Sequence, residues 1–345
     1  MKKLTVARLR TRRLGLPRVL IVGCGDVGMR AVPLLQGRYR IFAVTSDRQR
    51  VAALRAAGVV PLVADLDQPA SLRRLASLAP RVLHLAPPQN TGPRDLRTRA
   101  LLQALSRAMP SRHALAGASA RQRQPNMDSI LPDRDGRERR VLVYASTSGV
   151  YGDRHGALVH EHAKPQPTTD RAVRRVDAET AIRRFGNRMH WRTTILRIPG
   201  IYADNRLPLE RLARGTPALQ PADDVYTNHI HADDLARIVV AAMTRGRPQR
   251  IVHASDDSRL LMGDYLDLVA ARTGLPKPPR LSRDAVRSGV SPVQLSFMSE
   301  SRQLDNGRLR NELRVRLRYP SVVHYFDSRP QLGAQASISD SQQAT

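Results

Sequence analysis

The chain has 345 residues, 57 basic and 30 acidic, and a formal net charge of +27. This length can bury a substantial core and predicts one large domain or two unequal ones. No apolar run reaches about 18 residues, so we expect no membrane span. Cys24 is the only cysteine, which excludes an intramolecular disulfide and fits a reducing compartment. No apolar segment follows the basic stretch Met1–Arg13, so we expect a cytoplasmic protein, with an arginine-rich organellar transit segment as the alternative.

The positive charge comes almost entirely from arginine, since only four of the 57 basic residues are lysines. Such a surplus can bind nucleic acid by neutralising phosphates. The arginines are spread over the whole chain, however, aromatic residues make up only 4%, and no nucleic-acid-binding motif is present. We therefore interpret the charge as a general arginine bias on solvated faces, and expect at most a nonspecific affinity for nucleic acid.

Apolar runs typical of buried strands alternate with helical patterns through the first half of the chain. The predicted strands are Val19–Val22, Ile41–Thr45, Val59–Ala64, Val82–Ala86 and Val141–Ala145, and the predicted helices are Val27–Leu35, Arg48–Ala57, Ala70–Leu78 and Arg94–Ala108. This order predicts an α/β fold, with a parallel sheet covered by helices on both faces. Further along, the predicted elements are helices at Asp170–Phe185, His231–Met243 and Leu260–Thr273 and a strand at Arg192–Ile198.

The first predicted strand runs into three glycines, Gly23, Gly25 and Gly28, at the spacing G-x-G-x-x-G, and a helical pattern follows. Gly23 permits a tight turn, Gly25 leaves room for a pyrophosphate, and Gly28 lets the helix pack closely on the strand. The helix begins at Asp26 and Val27 and directs free N–H groups toward the phosphates. The pattern predicts a dinucleotide site on a Rossmann-type, doubly wound parallel sheet. The alternative is a glycine-rich turn without a ligand.

The end of the second strand indicates which dinucleotide is bound. An acidic residue there favours NAD, because it bonds the ribose 2′-hydroxyl. Here Thr45 and Ser46 are uncharged and Arg48 follows, and a hydroxyl with a guanidinium suits a 2′-phosphate. We therefore predict NADP(H), with NAD as the alternative if Asp47 reaches the ribose. The other predicted cofactor contacts follow the third and fourth strands: Asp65, Leu66, Ala86 and Pro87.

Four further segments together resemble the extended short-chain dehydrogenase/reductase superfamily, in particular the NAD-dependent epimerase/dehydratase family. They are Tyr144–Gly152, Leu196–Tyr202, Asn228–Leu235 and Ser301–Leu309, in the family's order. The glycine spacing departs from the G-x-x-G-x-x-G of most extended members and is closer to an atypical subgroup. The resemblance implies a dinucleotide-binding core with a smaller C-terminal substrate-binding region, a nicotinamide dinucleotide and a small-molecule substrate.

On this basis the chain divides into four parts. A basic extension covers 1–16, the dinucleotide-binding core 17–200, the substrate-binding region 201–327 and a polar tail 328–345. Within the substrate-binding region, we expect 228–245 to pack back on the core. The segment 110–140 and the tail are polar and lack periodicity, so we expect both to be disordered.

Members of this family rely on a Ser or Thr, a Tyr, and a Lys four residues after the Tyr. The resemblance places Thr147 at the first position, but Arg171 and Arg175 at the Tyr and Lys positions. Arginine stays protonated near neutrality, so Arg171 cannot shuttle a proton. Arg175 can still hold ribose hydroxyls or a phosphate. No Tyr-x-x-x-Lys occurs anywhere in the chain, and Tyr151 and Tyr202 are the candidate substitutes.

Two other groups of side chains are candidate sites. The residue types of a zinc site occur in a predicted loop, at His155, His160, Glu161 and His162. We predict that this loop is solvated and holds no metal. Arg197 and Arg206 either line a pocket for an anionic substrate or contribute surface charge.

The sequence therefore leaves two main functions open. One is an NADP(H)-dependent oxidoreductase or epimerase that acts beside Thr147 with an unidentified proton donor. The other is a cofactor-binding sensor or scaffold without catalysis, which the missing Tyr and Lys favour. A third and weaker hypothesis is an RNA-associated protein on the same frame.

Overall fold

The computed structural model describes residues 15–107, 140–287, 290, 295 and 298–329. Nearly all of the predicted basic extension, of the predicted insertion at 110–140 and of the predicted polar tail lies outside the described residues.

The described residues form fifteen strands and ten α-helices. The strands are β1 (Arg18–Val22), β2 (Arg40–Thr45), β3 (Val60–Val63), β4 (Arg81–His84), β5 (Val141–Thr147), β6 (Leu158–Val159), β7 (Arg192–Ile198), β8 (Gly200–Tyr202), β9 (Ala218–Leu219), β10 (Tyr226–Thr227), β11 (His229–His231), β12 (Arg250–His253), β13 (Leu260–Leu261), β14 (Arg280–Leu281) and β15 (Gln303–Leu304). The helices are α1 (Asp26–Leu35), α2 (Arg50–Ala56), α3 (Leu96–Ser106), α4 (Asp170–Met189), α5 (Leu209–Ala213), α6 (Ala232–Arg245), α7 (Met262–Thr273), α8 (Arg283–Arg287), α9 (Gly307–Asn311) and α10 (Val322–Asp327). Short 3-10 helices cover Pro69–Leu75, Ser148–Tyr151, Asp204–Arg206 and Pro221–Asp223.

Seven of the strands form one parallel sheet in the order β12-β7-β5-β4-β1-β2-β3. Residues Val19 to Val22 of β1 are entirely buried, which is why this strand reads as an unbroken apolar run. From β1 the chain builds outward to β2 and β3, then crosses back to β4 on the other side of β1. The carboxyl ends of β1 and β4 therefore border the crevice where open parallel sheets bind ligands.

Helices cover both faces of this sheet. On one face α1 and α6 pack against each other over a core that includes Val32, Leu35 and Val239. On the other face α3, α4 and the 3-10 helix Pro69–Leu75 cover a second core that includes Leu101. The α/β fold with a doubly wound parallel sheet, predicted from the sequence, is confirmed.

Two of the elements in and around the central sheet differ from the sequence prediction. The helix predicted at Ala70–Leu78 is the 3-10 helix Pro69–Leu75, in which Leu72 and Leu75 are buried at the three-residue period of that helix type. Strand β12 was not predicted, because four residues are too few to show a period. It pairs with β7 and so adds a strand to the central sheet from the part of the chain assigned to the C-terminal region.

Apart from β11, α6, β12 and α9, which pack with the core, the chain after β8 forms a smaller lobe beside the carboxyl edge of β5. Short strands pair within it, β9 with β14 and β10 with β13, and its core contains Tyr202, Leu266, Tyr319, Tyr325 and Phe326. Strand β15 returns to pair with β6, which ties the end of the lobe to the core. None of the described helices combines the length and apolar character needed to cross a membrane.

Candidate functional site

The glycine turn between β1 and α1 has the geometry of an open cradle. Gly23 has a φ of +87°, and a Cβ there would lie 2.4 Å from the backbone nitrogen of Ala86, so only glycine fits between β1 and the end of β4. At Gly25 the opposite holds, since a Cβ would meet no atom within 4 Å. Gly25 is the N-cap of α1, and no side chain caps the helix. The first turn of α1 therefore leaves its N–H groups facing empty space beside Gly25.

Gly28 and Cys24 close the inner side of the turn. A Cβ at Gly28 would lie 3.3 Å from both the Cys24 sulfur and the Gly23 carbonyl oxygen, so helix and strand are in tight contact, as the sequence predicts. Burial raises the pKa of the Cys24 thiol to about 11 despite the nearby charge of Arg50. The thiol stays protonated near neutrality, which fits a packing role.

Arginines surround the end of β2, where the sequence predicts the adenosine ribose. Ser46 and Arg48 are exposed there. Asp47 turns one carboxylate oxygen to the backbone N–H of Gln49, 2.8 Å away. Arg50, which sequence reasoning missed, donates from Nη2 to the carbonyl oxygen of Cys24 at 2.7 Å. The link between β2 and the glycine turn is thus a guanidinium, and it could have been found by extending the search to the first residue of α2.

The remaining predicted cofactor contacts lie along the same edge. Asp65 and Leu66 are half-buried just after β3, and a carboxylate oxygen of Asp65 caps the loop by accepting from the Asp67 N–H. Ala86 is buried against Gly23 and donates its N–H to the Val22 carbonyl. Pro87 is exposed beyond it. The structure therefore brings these predicted residues to the carboxyl edge of β1, β3 and β4.

A cleft of about 750 Å³ opens at the carboxyl end of β5, between the core and the C-terminal lobe. Polar and charged side chains line it from both sides: Asn90, Thr147, Ser148, Thr169, Asp170, Arg171, Arg174, Arg206, Tyr226, Thr227, Asn228, Glu300 and Arg302. Four of these are arginines and two are acids. Because Glu300 already pairs with Arg302 at 2.8 Å, the cleft keeps an excess of positive charge and suits an anionic ligand.

Thr147 and Arg171 both line this cleft. Thr147 ends β5, and its hydroxyl accepts from the Gly149 N–H at 3.3 Å. Arg171 follows the N-cap Thr169 of α4 and has no hydrogen-bond or ion-pair partner among the described residues. Desolvation and the charges of Arg175 and Arg174 lower the pKa of Arg171. Arg171 is exposed, and its unpaired guanidinium is available to an anion that enters the cleft.

Arg175 lies beneath the cleft and does not line it. Its side chain is buried, and Nη1 donates to the Tyr144 hydroxyl at 3.0 Å and to the Ala145 carbonyl at 2.6 Å. The predicted contact of Arg175 with the cofactor ribose would require the side chain to leave both of these acceptors.

A buried ion pair supports the end of β5 from behind. Arg197 is 1% exposed and forms a two-pronged bond with Glu179, with Nε–Oε1 and Nη2–Oε2 distances of 3.1 and 2.6 Å. Ser146, next to Thr147, donates its hydroxyl to the same carboxylate at 2.6 Å. The Arg197 guanidinium also stacks on the ring of Tyr151, 4.6 Å from its centroid. The prediction that Arg197 lines a pocket or adds surface charge is therefore wrong, because this guanidinium is fully enclosed.

Removing one member of this pair should greatly lower the free energy of unfolding. We expect Glu179→Ala to lower the free energy of unfolding by about 3–5 kcal/mol, because it leaves the Arg197 charge buried without a partner. The double variant Glu179→Leu with Arg197→Met should lose less than Glu179→Ala alone. Urea unfolding at pH 7 measures both, and equal losses in the single and double variants would contradict this assignment.

The structure also corrects three other predictions. Tyr151 and Tyr202 are both buried away from the cleft, and the Tyr151 hydroxyl is 2.5 Å from Nε2 of His253, so neither is placed to replace the missing tyrosine. Glu161 does not lie on a solvated loop: it is buried and accepts the His253 N–H at 3.2 Å. Packing against β12, a strand that the sequence prediction lacked, is what buries it.

The histidines near Glu161 do not converge on a metal position. His155 is almost fully exposed beside Asp153, while the rings of His160 and His162 stack on each other 5.6 Å apart. Among the described residues, no group of three or more His, Cys, Asp or Glu side chains could hold a metal ion.

A strand order that reverses beside a glycine cradle and a helix N-terminus defines the class of Rossmann-type dinucleotide-binding proteins. The family model for the NAD dependent epimerase/dehydratase family matches residues 19–254. The chain therefore belongs to the NAD-dependent epimerase/dehydratase family, which confirms the resemblance seen in its sequence motifs.

Solved structures share this fold over nearly their whole length. A conserved protein of unknown function from Silicibacter pomeroyi is 26% identical, with a TM-score of 0.68 over 93% of this chain and 99% of that one. The dTDP-glucose 4,6-dehydratase DesIV from Streptomyces venezuelae, solved with NAD, is 18% identical, with a TM-score of 0.68 over 92% and 97% of the two chains. The UDP-glucuronic acid 4-epimerase from Bacillus cereus, also solved with NAD, is 15% identical, with a TM-score of 0.65 over 92% and 99%. A comparison with curated proteins gave no match.

Proposed function

We propose that this protein binds NADP(H) at the glycine turn and an anionic small molecule, of the sugar-nucleotide kind, in the cleft beside Thr147. The observation that carries the proposal is the position of the arginine-lined cleft at the carboxyl edge of the same sheet that holds the glycine cradle. The neighbours solved with NAD support a nicotinamide dinucleotide at the glycine turn, and those named for sugar-nucleotide substrates support a ligand of that kind in the cleft.

The preference for NADP(H) over NAD(H) rests on the charges at the end of β2. Arg48 is exposed and Arg50 already reaches the glycine turn, so two guanidinium groups are available to a 2′-phosphate at the predicted ribose position. Asp47, the residue that would favour NAD, has one carboxylate oxygen bonded to its own loop. A 2′-phosphate between two guanidinium groups forms charge-assisted hydrogen bonds that a 2′-hydroxyl cannot match.

This preference predicts a selective effect at position 50. We expect Arg50→Ala to weaken NADPH about 10- to 100-fold, as for a lost charge-assisted bond of about 1.5–3 kcal/mol, and NADH less than threefold. Arg48→Ala should likewise weaken NADPH more than NADH. Arg55→Ala, in the exposed last turn of α2, is the matched control and should change neither affinity. Equal losses for the two nucleotides would contradict a 2′-phosphate contact.

Proton transfer in the cleft cannot follow the family's usual route, because Arg171 stands at the tyrosine position. Among the described residues that line the cleft, Asp170, Tyr226 and Glu300 are the side chains other than arginine that can exchange a proton. Glu300 is engaged with Arg302, and its other oxygen accepts the Thr168 hydroxyl at 2.5 Å. Any proton donor acting here must therefore differ from that of the family.

Binding of cofactor without turnover is the second candidate function, and the arginine at position 171 is the observation that favours it. A direct test is to mix the NADPH-loaded protein with a panel of UDP- and dTDP-sugars and their keto derivatives, and to follow the absorbance of the reduced nicotinamide. Oxidation or product formation with one sugar nucleotide would establish an enzyme. Tight NADPH binding with no turnover across the panel would favour a sensor, and failure of both nucleotides to bind would overturn both functions.

A further inference from the structure

The phosphate-binding helix begins with an acidic residue, which calls for an explanation. Asp26 is the first residue of α1 and directly follows Gly25. A carboxylate at a helix N-terminus interacts well with the helix dipole, but it opposes the approach of a second anion to the same N–H groups. A dinucleotide diphosphate would bring two negative charges to this point. Asp26 therefore weakens phosphate binding unless its charge is used for something else.

Two arginines form ion pairs with Asp26. Oδ1 lies 3.0 Å from Nε of Arg30 in the next turn of α1, and Oδ2 lies 2.7 Å from Nε of Arg206 in the C-terminal lobe. Burial alone would raise the pKa of Asp26, but the hydrogen bonds and charges of Arg206 and Arg30 outweigh it and hold that pKa below its ordinary value. Asp26 is thus ionised near neutrality and holds a guanidinium from another part of the chain.

The loop that carries Arg206 is fixed from both sides. On the core side, Arg30 donates from Nη2 to the Asn205 side-chain oxygen at 3.1 Å. On the lobe side, the Asp204 carboxylate bonds to the Tyr325 hydroxyl and to Arg329. Arg206 is therefore held in place before any ligand arrives, which lowers the entropic penalty of ordering it on binding.

Arg206 still has donors to offer. Only its Nε is used by Asp26, and its two terminal nitrogens have no hydrogen-bond partner among the described residues. The side chain is 36% exposed and lines the cleft. Its free N–H groups thus lie beside the open N-terminus of α1, where a guanidinium can bind two phosphate oxygens at once.

We propose that Arg206 binds the diphosphate of the dinucleotide from the side opposite α1, and that Asp26 is the positioning residue that holds it there. The proposal rests on dinucleotide binding at the glycine turn as proposed above. It explains why the phosphate helix begins with an acid, because the Asp26 carboxylate accepts from Arg206 and so holds this donor of the C-terminal lobe in a fixed position. It also makes the lobe part of the cofactor site.

The test is a calorimetric titration of NADPH into four forms: the unchanged protein, Arg206→Gln, Asp26→Asn, and the double variant. We expect Arg206→Gln to weaken NADPH about 20- to 50-fold, as for a lost guanidinium–phosphate contact. Asp26→Asn should weaken it about tenfold, even though a negative charge beside the phosphates is removed. The double variant should bind no more weakly than Arg206→Gln alone, because both changes remove the same contact. Arg206→Lys should recover part of the affinity.

The sign of the Asp26→Asn effect decides between the two accounts. If Asp26 only repels phosphate, this variant tightens NADPH binding, and the proposal is overturned. A change of less than threefold in Arg206→Gln also overturns it. Titration with 2′-AMP, which has no diphosphate, separates contact from misfolding: unchanged 2′-AMP affinity in Arg206→Gln supports the proposal, and an equal loss contradicts it. Asp327→Asn, which breaks the remote surface pair with Arg272, is the matched control. If the unchanged protein does not bind NADPH, the proposed function fails instead.

Discussion

Replacing Gly25 with alanine should abolish dinucleotide binding while leaving the protein folded. The added Cβ meets no protein atom within 4 Å, and the backbone at Gly25 is extended, with φ −78° and ψ −150°, so the free protein accommodates it. The N-cap position prefers glycine to alanine, which lowers the free energy of unfolding by about 1 kcal/mol at most. The methyl group fills the space where the diphosphate must approach the α1 N–H groups. We expect the NADPH Kd to rise about a thousandfold, equal to about 4 kcal/mol.

Gly23→Ala provides the contrast two residues earlier. Its Cβ would lie 2.4 Å from the nitrogen and 2.6 Å from the Cα of Ala86, in a backbone conformation with φ +87°. We expect this variant to lose at least about 3 kcal/mol of stability, because β1 and β4 must separate to admit the methyl group. Urea unfolding and NADPH titration of the two variants should therefore give opposite patterns. A Gly25→Ala protein that binds NADPH within tenfold of the unchanged protein would mean that the turn is not a phosphate cradle.

Acid should unfold this protein well above the pH at which carboxylates protonate. Four histidines are buried and neutral, since burial lowers the pKa of His84, His229 and His253 to about 3 and that of His231 to about 4. Their pKa in the unfolded chain is about 6.5. As pH falls below that value, the unfolded chain binds protons at these histidines and the folded protein does not, which stabilises the unfolded state. Each histidine then removes about 2 kcal/mol of stability between pH 7 and pH 5.

Asp256 acts in the opposite direction over the same range. Burial raises the pKa of its carboxyl to about 8, so the folded protein holds a proton there that the unfolded chain releases. The bound proton stabilises the folded protein at low pH, and this stabilisation is lost as pH rises toward 8. Between pH 7 and pH 5, Asp256 therefore raises the free energy of unfolding by about 2.5 kcal/mol. The net loss is about 5 kcal/mol, a large part of the 5–15 kcal/mol typical of a folded domain.

Urea unfolding at pH 7 and pH 5 measures this acid sensitivity. His84→Gln should reduce the difference between the two free energies of unfolding by about 2 kcal/mol, because one of the four proton-binding groups is gone. It can lower stability at both pH values, since His84 Nε2 is 2.8 Å from the Thr98 hydroxyl, but the difference is the readout. Arg55→Gln, at an exposed residue of a type that stays protonated throughout this range, is the control and should leave the difference unchanged. Equal stability of the unchanged protein at pH 7 and pH 5 would contradict the account.

The parts of the site that could be predicted from sequence are those that depend on local spacing. Gly23, Gly25 and Gly28 lie within six residues of each other at the turn from β1 to α1. The structure gives each the surroundings that the motif predicts. The helix at Asp170–Phe185 was predicted for the same reason, because the residues that begin a helix are a local feature, and in the structure Thr169 caps it. Such features can be predicted because residues that are close in the sequence are also close in the fold.

The parts that could not be predicted depend on contacts between distant segments. Glu179 and Arg197 come together across α4 and β7, and nothing near either residue in the sequence indicates a buried partner. Arg206 meets Asp26 across 180 positions of the chain. In a chain with 53 arginines among its 57 basic residues, a paired guanidinium cannot be told from a solvated one until the fold is known.

We propose that the glycine turn binds a nicotinamide dinucleotide and prefers the 2′-phosphorylated form. Calorimetric titration of the purified full chain with NADPH and with NADH, beside Gly25→Ala as the blocked form, tests it most directly. We expect saturable 1:1 binding of NADPH, at least tenfold weaker binding of NADH, and about a thousandfold weaker binding of NADPH to Gly25→Ala. Equal affinities would contradict the preference, and NADPH binding to Gly25→Ala within tenfold of the unchanged protein would contradict the site itself.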